Sequence, residues 1–214
     1  MRILKSLAFA LVLMGVSLPL WAENFDPGID YTVLPRPIPT DAPEGKVEVA
    51  EFFWYGCPHC HHFEPKIQAW LERKPEAAHF VRIPASLNPS WRPHAEAFYA
   101  AEALGVSDKL HKPLFDALHE QRRRILSRDQ LARFAASQGI DEQKFRDAMD
   151  SFLVQSRVRR ADDLARRAGI RGVPSVVVAG RYLVTGQQAG SYERMIEIID
   201  HLVRQEAARG KSGG

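Results

Sequence analysis

The chain is short of cysteine. Two residues of its 214, Cys57 and Cys60, hold all of its thiol chemistry, with only two residues between them. A disulfide framework stabilises by closing sizeable loops, and a Cys57–Cys60 bridge closes a very small ring. A domain of this length can bury a core without such a staple. A structural zinc site is equally short of ligands. There is no second cysteine pair, and His79, His94, His111, His119 and His201 make no paired motif. The chain also lacks a charge excess. Its 29 basic residues stand against 26 acidic ones, a net +3, which gives no global argument for nucleic acid. Beyond the N-terminus it has no apolar run long enough to cross a bilayer.

The N-terminus is different in kind. Arg2 and Lys5 form a basic head, Ser6 to Leu20 is an apolar stretch broken by Gly15 and Pro19, and Ala22 precedes the first acid, Glu23. Basic start, apolar middle and small residue before the cut make a secretory signal peptide over residues 1–22, cleaved after Ala22. The apolar stretch is about 15 residues, short of the roughly 20 that span a bilayer as a helix. Cleavage takes the basic count from 29 to 27 against 26 acids, leaving +1. The mature protein is expected outside the cytoplasm, where a disulfide persists.

Phe25 to Pro43 carries five prolines and reads as an extended arm, with Tyr31 to Leu34 able to pair as an edge strand. Val47 to Trp54 is β-branched and aromatic and reads as a core strand. After Cys57 the apolar residues Phe63, Ile67, Trp70 and Leu71 fall on one helical stripe, with Pro65 inside it as an expected kink. His79 to Pro84 reads as a second strand. Helices are expected over Pro93–Leu104, Ser107–His119, Ser127–Ser137, Asp141–Ser151 and Phe152–Ala168, with Ser107 and Ser127 as N-terminal caps. Val173 to Val178 returns to strand character, Ala179-Gly180-Arg181 turns into Tyr182-Leu183-Val184 as a hairpin, and Met195 to Val203 carries the stripe of a last helix. Strands at both ends with helices only between them predict an α/β sheet domain from residues 23–88 and 171–208. A helical domain over 89–170 interrupts it, and a disordered tail over 209–214 follows it.

The stretch Phe53-Trp54-Tyr55-Gly56-Cys57-Pro58-His59-Cys60-His61-His62 concentrates the chemistry. A helix N-terminus offers unpaired N–H groups and a positive partial charge, and a thiolate placed there has a lowered pKa. Cys57 is expected at the first helical position, nearest those groups. Pro58 suits the first turn, where its missing donor costs nothing. His59 adds a donor or positive charge beside the thiolate. Cys60, one turn in, is the more buried. The expected roles are therefore unequal, with Cys57 the exposed attacking thiol and Cys60 the resolving one. A stabilised thiolate favours the reduced form, so the disulfide is an oxidant.

A metal reading competes. Cys57, His59, Cys60, His61 and His62 are five possible ligands in six residues. On a helix they point in different directions and do not converge on one ion. The basic run from Arg157 to Arg171 is broken by Asp162 and Asp163 and reads as a solvated helix face. Trp54 and Tyr55 are expected in the core or bordering a groove.

The motif "EFFWYGCPHCHHFEP", with "GVPSVVVAGRYLV" more than a hundred residues later, resembles the DsbA family of periplasmic thiol-disulfide oxidoreductases. "YTVL", "AEALGV" and "SFLV" extend the likeness over essentially the whole mature chain. The resemblance implies a thioredoxin-like fold with an inserted helical domain, and a protein dithiol oxidase acting through its own Cys57–Cys60 disulfide, with no other cofactor and no metal. It implies a cis Val173–Pro174 bond facing the cysteines, with the Val173 backbone offered to a substrate strand. It implies a buried, tuning acid at Glu51, for which Arg82 on the next strand is a candidate partner. The partners it implies are newly exported unfolded proteins with reduced cysteines and a DsbB-like, quinone-linked membrane protein that reoxidises the pair, with the oxidase itself a monomer. Two other readings stay open: a disulfide isomerase or reductase, and a metal carrier using the Cys-x-x-Cys/His cluster. A reductase favours Gly-Pro between the cysteines. An isomerase of the related periplasmic type needs a dimerisation domain for which the arm is too short.

Overall fold

The computed structural model describes residues 25–212. The expected signal peptide, 1–22, lies outside the described residues, as do the last two residues of the expected tail.

A five-stranded mixed sheet organises the chain, in the order β1-β5-β4-β2-β3. β1 (Thr32–Val33) is the edge strand anticipated in the arm, antiparallel to β5 (Tyr182–Thr185). β2 (Val47–Phe53) runs parallel to β3 (Ala78–Pro84) and antiparallel to β4 (Ser175–Val178). Every residue of β2 is buried, including Glu48 and Glu51. Five of its seven residues are apolar, as a strand covered on both faces requires.

The alternation of β2 sorts side chains into two cores. Val47 and Val49 face Phe63, Ile67 and Trp70 of α1 (Pro58–Leu71) and Ile198, Ile199 and Leu202 of α8 (Tyr192–Ser212). Ala50 and Phe52 face the helices inserted between β3 and β4. These are α2 (Arg92–Ala103), α3 (Ser107–His119), α4 (Arg128–Ser137), α5 (Glu142–Asp150) and α6 (Phe152–Arg167), all within a residue or so of expectation. Ser127 caps α4 in a reciprocal box with Gln130. Asp141 and Ser151 cap α5 and α6 by accepting from the backbone N–H of Lys144 and Val154. Ser107 does not cap α3, because it lies inside the helix and Val106 takes the cap position. Pro65 stands inside α1, which runs on through it as one helix. Trp70, fully buried, donates from Nε1 to Asp200 at 2.6 Å and ties α1 to α8.

The β4–β5 hairpin turns as expected through Ala179 and Gly180, both at positive φ. Gly180 also packs against the Ile38 carbonyl, where a Cβ would collide. Two expectations need correction. β4 begins at Ser175, so Val173 and Pro174 stand in the loop before the strand. The stretch expected as a tail is helical over its first residues, for α8 continues to Ser212. Arg209 donates to the Tyr182 hydroxyl at 2.6 Å and to Glu206 at 2.7 Å, and these bonds hold the helix end to the sheet. A short helix, α7 (Gly186–Ala189), was not foreseen. Among the described residues no helix is long and apolar enough to cross a membrane.

Candidate active site

β2 ends at Phe53, the chain turns through Gly56, and α1 begins at Pro58. Cys57 is the N-cap of α1 in extended conformation, one place before the first helical position expected for it, and Pro58 occupies that position. Its amide donates to Trp54 O at 3.0 Å and its carbonyl accepts from His61 N at 3.1 Å, which fixes the residue across the strand-to-helix junction. Both cysteines are free thiols, Cys57 8% exposed and Cys60 1% exposed.

The two sulfurs have opposite electrostatics. A hydrogen bond from the Cys60 thiol, then the N–H groups of Cys60 and His59 and the charge of His59, lower the Cys57 pKa to about 6 against the opposing effect of burial. Burial pushes the Cys60 thiol well above its ordinary value, and its bond to Cys57 adds to the rise. The first helical turn thus makes one good thiolate and one reluctant one.

The Val173–Pro174 bond is cis, and the Cys57 thiol donates to Val173 O at 3.3 Å. A groove of about 920 Å³ opens beside them, lined by His59, Arg171, Val173, Pro174, Gln188 and Tyr192 among others. His59 is exposed on its rim, with Nδ1 3.4 Å from the Tyr192 hydroxyl at the start of α8. Trp54 stacks flat on Trp91, centroids 4.1 Å apart, whereas Tyr55 is fully buried.

Glu51 is 1% exposed and in register with Arg82, the partner anticipated for it, whose Nε lies 3.2 Å from Oε2. Burial, reinforced by Glu64, pushes Glu51 up to about 7 although Arg82 opposes it. The sequence reading missed two members of this cluster. Glu64 on α1 accepts from Arg82 Nη2 at 2.8 Å and from Gln68 at 2.6 Å. His111 on α3 approaches Glu64 at 3.4 Å and pairs with the Tyr55 hydroxyl at 3.0 Å. Glu64 stands four residues after Cys60, a spacing that puts both on one helix face and could have disclosed it. Nothing local marks His111, which comes from the helical insertion.

The five possible ligands do not gather. Among the described residues, the one group of three able to approach a common ion is His61 with Asp116 of α3 and Glu120, the residue just after that helix, and it contains no cysteine. The His61 ring stacks on His119, and Lys112 already holds Asp116 at 2.6 Å.

A reactive thiolate at a strand-to-helix turn, a resolving thiol one turn in and a cis-proline loop against them, on a mixed sheet, define a thiol:disulfide oxidoreductase of thioredoxin-like fold with a helical insertion. The comparisons narrow this. A family model, the DSBA-like thioredoxin domain, matches residues 90–194. The chain is 43% identical to the thiol:disulfide interchange protein DsbA of Burkholderia cepacia over 83% of its length and 84% of the relative's. It is 39% identical to DsbA of Azotobacter vinelandii, covering 95% and 98% of the two chains. The crystal structure of Pseudomonas aeruginosa DsbA superposes with a TM-score of 0.83 at 37% identity, over 89% of this chain and 98% of that one. The chain belongs to the DsbA family. Its activity is thiol:disulfide interchange through its own cysteine pair.

Proposed function

We propose that the protein works as a periplasmic dithiol oxidase, donating the Cys57–Cys60 disulfide to newly exported, unfolded proteins. The observation that carries this reading is the inequality of the two sulfurs, about 6 for Cys57 against a strongly raised Cys60. A disulfide whose reduced form holds so stabilised a thiolate passes readily to a partner.

A substrate thiolate attacks Cys57 Sγ, the Cys57–Cys60 bond breaks, and Cys60 departs with the electron pair. Cys60 holds its proton tightly and takes one from Glu51, which at about 7 is available to give it. A second substrate thiolate then attacks the substrate sulfur of the mixed disulfide and expels Cys57 as thiolate. The substrate gains one disulfide and the protein gains two electrons. Val173 and Pro174 present the wall along which the substrate backbone lies, with the Val173 peptide group as its hydrogen-bonding edge. Pro58 starts the helix and His59 supports the thiolate.

Reoxidation requires an acceptor of two electrons, for which the family implies a quinone-linked membrane protein similar to DsbB. The protein acts as a monomer without metal, is exported by residues 1–22 and is cleaved after Ala22. The helical domain over 89–170 packs on the sheet domain of 23–88 and 171–208 as a separate unit of the same machine.

The deciding experiment equilibrates the protein with defined glutathione ratios, and in parallel offers it a reduced, unfolded test protein. An oxidising pair that introduces disulfides is expected. A pair as reducing as thioredoxin, with no oxidation of the test protein, would mean a reductase instead. Metal bound stoichiometrically to the freshly purified protein would point to a carrier.

A further inference from the structure

Arg82 divides itself unequally between two acids. Its Nη2 gives Glu64 Oε1 a 2.8 Å hydrogen bond. Its Nε faces Glu51 Oε2 at 3.2 Å, yet neither of those two atoms makes a properly aligned hydrogen bond. Glu64 Oε1 has two more neighbours. Gln68 donates to it at 2.6 Å from the next turn of α1, and His111 brings Nε2 to 3.4 Å from α3, a close approach without an aligned hydrogen bond. A carboxylate has no hydrogen to give, so Nε2 carries the hydrogen. The other ring nitrogen, Nδ1, then accepts from the Tyr55 hydroxyl at 3.0 Å.

We propose that His111 is a positioning residue of the redox site: by pinning Glu64 onto Arg82 it keeps the guanidinium from Glu51, and so leaves Glu51 a proton to give to the departing Cys60 thiolate. This rests on the part assigned to Glu51 above.

The groups that face Glu51 are few. Arg82 comes from β3, Glu64 and Cys60 come from α1, and the register partner on β4 is the apolar Val176. One cation serves two buried acids, so the acid it favours ionises first and the other holds its proton up to about pH 7. The pKa values follow that order. Although burial pushes Glu64 upward, His111, Arg82 and Gln68 together hold it at about 2, while Glu51 rises to about 7. Were Arg82 released from Glu64, it would turn to Glu51, and Glu51 would ionise early. Cys60 would then leave with no adjacent proton donor. The transfer itself balances: Glu51 loses the proton that Cys60 gains, and no electrons move in it.

The test follows the Glu51 carboxyl by ¹³C NMR in the oxidised mature protein, with its signal assigned by Glu51→Gln. A midpoint near 7 is expected in the parent. In Glu64→Gln the midpoint falls by about one unit or more, a tenfold change in the protonation equilibrium. His111→Ala moves it the same way. His111→Gln, whose amide can present an N–H to Glu64 from the same place, restores most of the shift. A Glu51 midpoint that stays put in Glu64→Gln overturns the proposal. If that variant does not fold, equal midpoints in His111→Ala and His111→Gln overturn it. The oxidase reading fails separately, by inability to oxidise the reduced test protein whatever Glu51 does.

Discussion

The thiol of Cys57 sits 3.3 Å from the carbonyl oxygen of Val173, a residue 116 positions away in the chain. The thiol donates to that carbonyl. The thiolate cannot, and instead accepts from the Cys60 thiol and from the amides of His59 and Cys60. Ionisation therefore frees the Val173 carbonyl, the group that a docking substrate strand would use.

Cys57 should titrate near pH 6, which makes it about nine-tenths thiolate at pH 7. Thiolate absorbance at 240 nm, or the pH dependence of alkylation, reads this directly. Because the Cys60 thiol is the largest source of the lowering, Cys60→Ala should raise the midpoint while leaving Cys57 the site of alkylation. A parent midpoint at 8 or above would remove the basis for the unequal roles. Cys57→Ser should abolish substrate oxidation, and Cys60→Ser should trap the mixed disulfide.

The same thiolate links stability to pH. The folded value of about 6 lies below the ordinary value of 9.0, so the contribution is complete above pH 9 and is lost as pH falls through 6. Over that window the reduced protein should gain up to about 4 kcal/mol relative to Cys57→Ala. Urea unfolding of both proteins at pH 5.5 and pH 8.5 measures it. A difference that does not grow with pH contradicts the stabilised thiolate.

Trp70 joins the redox helix to α8 through full burial and its bond to Asp200. Trp70→Phe shrinks the side chain and removes that bond, while Asp200 keeps Arg204 at 3.2 Å. A loss of about 2 kcal/mol is expected in chemical denaturation. A loss below about 0.5 kcal/mol would show that the contact contributes little to stability.

Arg160 and Asp41 meet at 2.7 Å between α6 and the proline-rich arm, but their side chains are 52% and 69% exposed. Such a pair is screened by water and salt, so Asp41→Asn should alter stability by less than about 0.5 kcal/mol. A larger cost, persisting at 0.5 M salt, would mean that the arm is anchored through this ion pair.

The elements were legible because each carries a local signal: the β-branched and aromatic residues of β2, the stripe of α1, and the Ser127 cap that opens α4. The redox motif was legible from its own few residues, whereas Glu51 was read through the family resemblance, with Arg82 on the next strand as its candidate partner. What escaped depends on contacts between distant segments. His111 belongs to the site only because α3 packs over α1, and nothing near it in the sequence says so. The end of α8 misled because Gly210 and its neighbours have the composition of a free tail. The anchor is Arg209, which reaches back to Tyr182 in the sheet.

The distance between Cys57 and Val173 along the chain also sets an order of events. A polypeptide threading out N-terminus first delivers both cysteines early, and delivers the loop that walls them only after all of α2 to α6 has followed. Closing so wide a separation comes late in folding, because its loop entropy must be overcome before its contacts return anything. Under the proposed export the thiols spend an interval as ordinary cysteines of an unfinished protein, open to the same chemistry the finished protein performs on others.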